Sequence, residues 1–183
     1  MASAVPDLTQ PIHEAIFWRG LFLHRYSGVE YTITELLVRA LGHEQYHALG
    51  PLPFPWPKRL KLLTKVLNFP GPIQAHAAFI REKLIPLTSV EKHRHMLAHA
   101  MMAVDVRGED PRALYFRGHD WKDRALGQTD LELSIDELIA MTESMGPLTQ
   151  DLTRYIATMF RDLGLEAADV EPRVEFSAKP RSI

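Results

Sequence analysis

The sequence predicts a mainly α-helical protein, a bundle of four to five main helices with a small β-hairpin inserted near residues 103–117. Three observations carry that prediction. Apolar residues recur at three- and four-residue steps over two long stretches, Pro11 to His43 and Leu138 to Leu163, a spacing that keeps one face of a helix apolar. Proline clusters and N-capping patterns supply starts and stops between these stretches. Strand-like composition flanking a turn signal is confined to one short segment.

In chain order, Ile16, Leu23, Tyr26, Ile33, Leu36, Leu37, Ala40 and Leu41 mark one long helix, or two in series, with Gly20 and Gly28 weakening it by about 1 kcal/mol each. Pro51-Leu52-Pro53-Phe54-Pro55-Trp56-Pro57 is a rigid connector, because alternating prolines remove amide donors and bias each preceding residue toward extended geometry. Lys58 to Leu67 reads as a short basic amphipathic helix ended by Asn68-Phe69-Pro70-Gly71, and Pro72 suits the first turn of another helix reaching about Leu84. Thr88-Ser89-Val90-Glu91 has capping-box spacing, so a fresh helix is expected there, running to Met101 or Met102. Ala103 to Arg107 and Ala113 to Phe116, around a Gly108-Glu109-Asp110-Pro111 turn signal, form the expected hairpin. Ser134-Ile135-Asp136-Glu137 is a second capping box, opening a helix to Gly164 that Pro147 is expected to kink or split. The helical domain thus spans residues 1–165, and residues 166–183 read as an extended or disordered tail.

Composition narrows the function classes. With 183 residues, 46% hydrophobic and 24% charged, the chain suits one folded domain, and its net charge of −2 requires any nucleic-acid contact to come from a local basic patch. The absence of cysteine excludes disulfides, thiolate metal sites and a cysteine nucleophile. Met1 to Asp7 has neither a basic n-region nor an apolar run, and no stretch approaches the ~20 apolar residues of a membrane span, so a cytoplasmic protein without membrane contact is expected.

The densest group of proton-transfer and phosphate-binding side chains is Glu91-Lys92-His93-Arg94-His95-Met96-Leu97-Ala98-His99. On a regular helix His95 and His99 lie about 40° apart, whereas Arg94 and His99 lie about 140° apart and share a face only loosely. RNA cleavage through the 2′-hydroxyl needs a base near neutral pKa and a cation to offset charge developing on phosphorus. His99 supplies the first, and Arg94 the second, through a planar guanidinium that keeps its charge. His95 either orients the phosphate or is the second proton-transfer group, the acid for the leaving 5′-oxygen. Glu30, set between Val29 and Tyr31, and His93 are supporting candidates; Glu30 either faces the bundle interior and holds a cation or sits on a solvated face. Lys58, Arg59, Lys61 and Lys65 are candidates for a positive track along an RNA backbone. Trp18, Trp56 and Trp121 read as packing residues.

Arg94-His95-Met96-Leu97-Ala98-His99, an arginine, a polar residue, three further positions and a histidine, resembles the signature of the HEPN superfamily. The resemblance implies a helical bundle that dimerises with two copies of the motif across a shared cleft, acting as a metal-independent endoribonuclease with no cofactor. It implies RNA as substrate, a 2′,3′-cyclic phosphate product, and a role in a toxin or defence system with an antitoxin or regulatory protein as partner. Only the motif is specific; the rest of the chain matches as helical architecture. In the toxin branch controlled by nucleotidyltransferase antitoxins a tyrosine stands two residues after the histidine, and here that position is Met101.

Two other readings stay open on the residues alone. One is a non-catalytic HEPN-like module that binds nucleotide or a partner protein. The other is a helical bundle binding metal through His95-x-x-x-His99 or His43-x-x-x-His47, since imidazoles four apart on a helix chelate zinc or nickel.

Overall fold

In the computed structural model, which describes residues 9–104, 112–122 and 125–165, four α-helices surround one core and a small antiparallel sheet closes one end. Helix α1 runs unbroken from Thr9 to Gly42 and buries Ala15, Phe22, Tyr26, Val29, Ile33, Leu36, Leu37 and Ala40. Gly28 lets it approach the last helix closely, because a Cβ there would meet Thr149 Cγ2 at 3.0 Å. The proline-rich connector is irregular from Pro51 to Pro55, but its last two residues, Trp56 and Pro57, open α2, which runs from Trp56 to Asn68 with Pro57 in its first turn, where a missing amide costs nothing.

The third helix corrects two expectations. A short 3-10 turn, Pro72–His76, leads directly into α3, a continuous helix from Ala77 to His99 with Pro86 inside it. No helix starts at Thr88. The box there needs the Glu91 carboxylate turned back to the Thr88 amide, but that carboxylate accepts hydrogen bonds from Tyr26 and Trp56 instead, and the Thr88 hydroxyl donates to Ile85 O at 2.7 Å. Burial of Ile80, Leu87, Val90 and Leu97 requires one helix, and it outweighs a local cap worth about 1 kcal/mol. Pro86 is exposed, so the carbonyl that loses its amide partner lies toward water.

Helix α3 also ends at His99 rather than at Met101 or Met102. Ala100 turns extended (φ −84°, ψ 151°), and strand β1, Met101–Val104, begins immediately. The motif therefore occupies the last two turns of the helix.

The expected hairpin is part of a larger sheet. β1 pairs with β2, Ala113–Lys122, through Val104↔Leu114 and Met101↔Arg117, as the expected hairpin requires, but β2 then pairs along its whole length with β3, Ala125–Ser134. The turn signal at Gly108–Pro111, the tail from residue 166 and the side chain of Trp121 fall outside the described part. Leu114, Phe116 and Leu133 bury one face of the sheet, while Tyr115 and the Arg117–Asp130 ion pair face outward.

Helix α4, Ile135–Asp162, opens with the expected capping box: Ser134 Oγ accepts from the Glu137 amide at 3.1 Å, and a Glu137 carboxylate oxygen accepts from the Ser134 amide at 2.7 Å. Pro147 does not split it. The residue before the proline is Gly146, which has no Cβ to clash with the pyrrolidine ring, and Pro147 itself is exposed. No helix among the described residues is long and apolar enough to cross a membrane.

Candidate functional site

Helices α2 and α3 converge on one face of α1. Tyr26, Glu30 and Thr34 stand four residues apart, so their side chains follow one stripe of that helix. Each meets a polar group from another element. The Tyr26 hydroxyl donates to Glu91 Oε2 from α3, while Trp56 Nε1 from α2 donates to the Tyr26 oxygen at 3.2 Å and to Glu91 Oε2 at 3.3 Å. Glu30 Oε1 accepts from Arg94 Nη2 at 2.5 Å. Thr34 Oγ1 accepts from Arg59 Nη1 at 3.0 Å.

Arg94 is thus not a loose surface arginine. Its side chain is 24% exposed, that of Glu30 is 22% exposed, and its guanidinium carbon lies 5.5 Å from the Tyr26 ring centroid, a cation–π arrangement. Burial pushes the Glu30 carboxyl above the usual carboxylate range, and the Arg94 guanidinium only partly offsets that push. Burial and the hydrogen bond to Glu91 hold the Tyr26 phenol well above its ordinary value, so it stays a neutral donor. One guanidinium nitrogen of Arg94 is committed to Glu30; the planar fork has further N–H donors for a second acceptor such as phosphate.

His95 and His99 lie on a different face of α3. Both are exposed, and their ring centroids are 5.1 Å apart with planes tilted by 58°. Among the described residues no hydrogen bond or ring contact joins Arg94 to His99, as their angular separation on the helix leads one to expect. His93 belongs to neither group: its Nδ1 lies 3.3 Å from Ser89 O.

The basic helix divides in the same way. Lys58, Lys61 and Lys65 are exposed at three- and four-residue steps, one solvent-facing stripe. Arg59 points the other way and ties the connector down, with Nε donating to Pro53 O at 3.0 Å as well as Nη1 to Thr34.

Residue-by-residue reading of the sequence missed Arg19. Its Nε donates to Leu97 O at 2.6 Å and its Nη2 to Ala100 O at 3.1 Å, so one side chain from α1 receives two carbonyls at the end of the helix that carries His95 and His99. The same guanidinium lies 5.9 Å from the Phe116 ring of β2, and the last turn of α3 rests on Gly118, where a Cβ would stand 3.4 Å from Met96 Sδ. No sequence signal marks Arg19, because an arginine on a long helix looks like any solvated cation. Trp56 does pack, as expected, but also donates to the site; Tyr26 and Glu91 were legible only as a core residue and a cap.

Chemically, the site offers a half-buried guanidinium with one exposed imidazole at the next residue and a second five residues on, at a helix end. Among the described residues no group of three or more histidine, aspartate or glutamate side chains is arranged to hold a metal ion. No protein-family model, curated protein or solved structure matches this chain.

Proposed function

We propose that this chain is a HEPN-like, metal-independent endoribonuclease working as a homodimer. The observation that carries the proposal is the ion pair of Glu30 with Arg94: a cation held in a defined, half-buried position within two turns of an exposed histidine pair is what charge stabilisation at phosphorus needs. In the proposed reaction His99 takes the proton from the ribose 2′-hydroxyl, and the 2′-oxygen attacks phosphorus. Arg94 balances the charge that accumulates on the phosphoryl oxygens. His95 gives a proton to the departing 5′-oxygen, leaving a 2′,3′-cyclic phosphate and a 5′-hydroxyl. Because Arg94 and His99 lie about 140° apart on α3, the phosphodiester itself, or the second copy of the motif in the dimer, has to bring their functions together. Lys58, Lys61 and Lys65 supply the proposed backbone track; the proposed setting is a cytoplasmic toxin or defence system with a regulatory partner.

A second reading, a non-catalytic HEPN-like module binding nucleotide or a protein, is favoured by the engagement of Arg94 with Glu30 and Tyr26, which serves structure as well as it serves catalysis. RNA incubated with the protein in excess chelator separates the two. Cleavage to 2′,3′-cyclic phosphate ends, reduced about 10²–10⁴-fold in His99→Ala, supports the nuclease. Intact RNA with a folded, nucleotide-binding protein supports the second reading.

A further inference from the structure

Helices α2 and α3 pack on α1 and on the Pro72–His76 turn more than on each other, and the gap between them is an apolar groove. Its volume is about 460 Å³, inside the roughly 300–1,000 Å³ range of small-molecule sites. Leu60, Leu63 and Leu67 form one wall, at the three- and four-residue steps of one helix face, and Leu84, Ile85 and Leu87 form the other. Ile85 is 68% exposed, so a large apolar side chain stands in water at the edge of the groove.

The two ends of the groove differ in charge. Arg81 lines one end, anchored by Nη2 donating to Leu67 O at 3.1 Å and to Asn68 Oδ1 at 2.7 Å. Among the described residues its Nε and Nη1 donate to no partner, so N–H groups of this cation remain for an acceptor. Glu91 lines the other end, ten residues further along α3 and hence about 15 Å away along the helix axis. Its Oε2 accepts from Tyr26 and Trp56, both of which lie behind the groove on the α1 side. An anionic head is therefore attracted at one end and repelled at the other, which leaves an elongated ligand one orientation.

We propose that this groove binds a medium-chain aliphatic monocarboxylate, with the carboxylate on Arg81 and the alkyl chain laid along the leucine walls toward Glu91. The charge argument selects the free acid's anion, since an ester of the same chain has no anionic head to meet the guanidinium. Because Arg81 is exposed, its attraction adds modestly and weakens with salt, while the chain supplies most of the affinity by leaving water. The site stands apart from the nuclease reading, as it uses none of Arg94, His95 and His99.

The test is calorimetric titration of the full chain with decanoate below its micelle concentration. One saturable event is expected, about fivefold tighter than with decan-1-ol and on the order of tenfold tighter than with octanoate, which is two methylenes shorter. Decanedioate, whose second carboxylate would meet Glu91, is expected to bind about tenfold more weakly than decanoate. Arg81→Met is expected to remove the advantage of decanoate over decan-1-ol and to leave the alcohol unchanged. Thr64→Trp, at an exposed position lining the groove, is expected to block both; circular dichroism checks that each variant is folded. No saturable binding of decanoate by the wild type overturns the proposal. Equal affinity for decanoate and decan-1-ol or decanedioate, or an advantage over the alcohol that survives in Arg81→Met, overturns it as well. Ultracentrifugation covers the other occupant: a wild-type dimer that Ile85→Glu dissociates, with no decanoate bound, assigns the groove to a second copy of the chain instead.

Discussion

Glu30 is the residue on which the two halves of the account meet, because the same carboxylate serves stability and orients Arg94. Its folded-state carboxyl titrates above its unfolded value, since burial disfavours the charge more than Arg94 restores it. Such a group contributes stability that is fully present below the unfolded value and is lost as pH rises through the folded one. Urea denaturation from pH 4 to 7 is therefore expected to show the wild type losing stability relative to Glu30→Gln as pH rises above the ordinary glutamate value of about 4.3. A wild type that gains on the variant over that window would mean that attraction to Arg94 dominates. The polar stripe Tyr26, Glu30 and Thr34 was legible in the sequence only in part. Glu30 was recognisable as a charge within an apolar stretch, but its partner was not, because which of several cations reaches it depends on how α3 crosses α1.

Local signals at the level of single elements are outvoted when their side chains have better partners elsewhere. The two capping boxes in this chain differ on that ground alone: Glu137 turns back to Ser134, whereas Glu91 is taken by Tyr26 and Trp56. Ser134→Ala is expected to cost about 1 kcal/mol in denaturant midpoint analysis, and Thr88→Ala no more than about 0.5 kcal/mol. The long helices, the proline connector and the second cap were readable because periodicity and backbone chemistry act within one segment. β3 was not, since Gly127, Gln128 and Asp130 are poor strand formers and its formation follows from pairing with β2. The end of α3 was equally hidden: it is set by β1 pairing with β2 and by Arg19, which comes from a distant part of α1. Arg19→Met leaves the Leu97 and Ala100 carbonyls without that donor and is expected to cost about 1.5–3 kcal/mol, with faster amide exchange over the last turn of α3.

Across the whole molecule, α1 works as a common wall. Its inner face packs on α4, with Arg25 donating to Thr142 O at 2.5 Å and Thr32 and Thr153 joined at 2.9 Å, while its polar stripe and Arg19 fix α3 from the side. The sheet closes the end at which α3 stops, so the histidine pair is displayed on a corner built from α1, α3 and β2. The nuclease proposal asks that this corner and the guanidinium behind it act on one phosphate. A nuclear magnetic resonance titration with a 2′-deoxy-substituted oligonucleotide, which binds but lacks the attacking hydroxyl, measures that directly. The expected result is that the Arg94 side-chain N–H and the His99 ring signals shift together and saturate at one oligonucleotide concentration. Shifts confined to one of the two residues, or absent from both while the lysines of α2 respond, would contradict it.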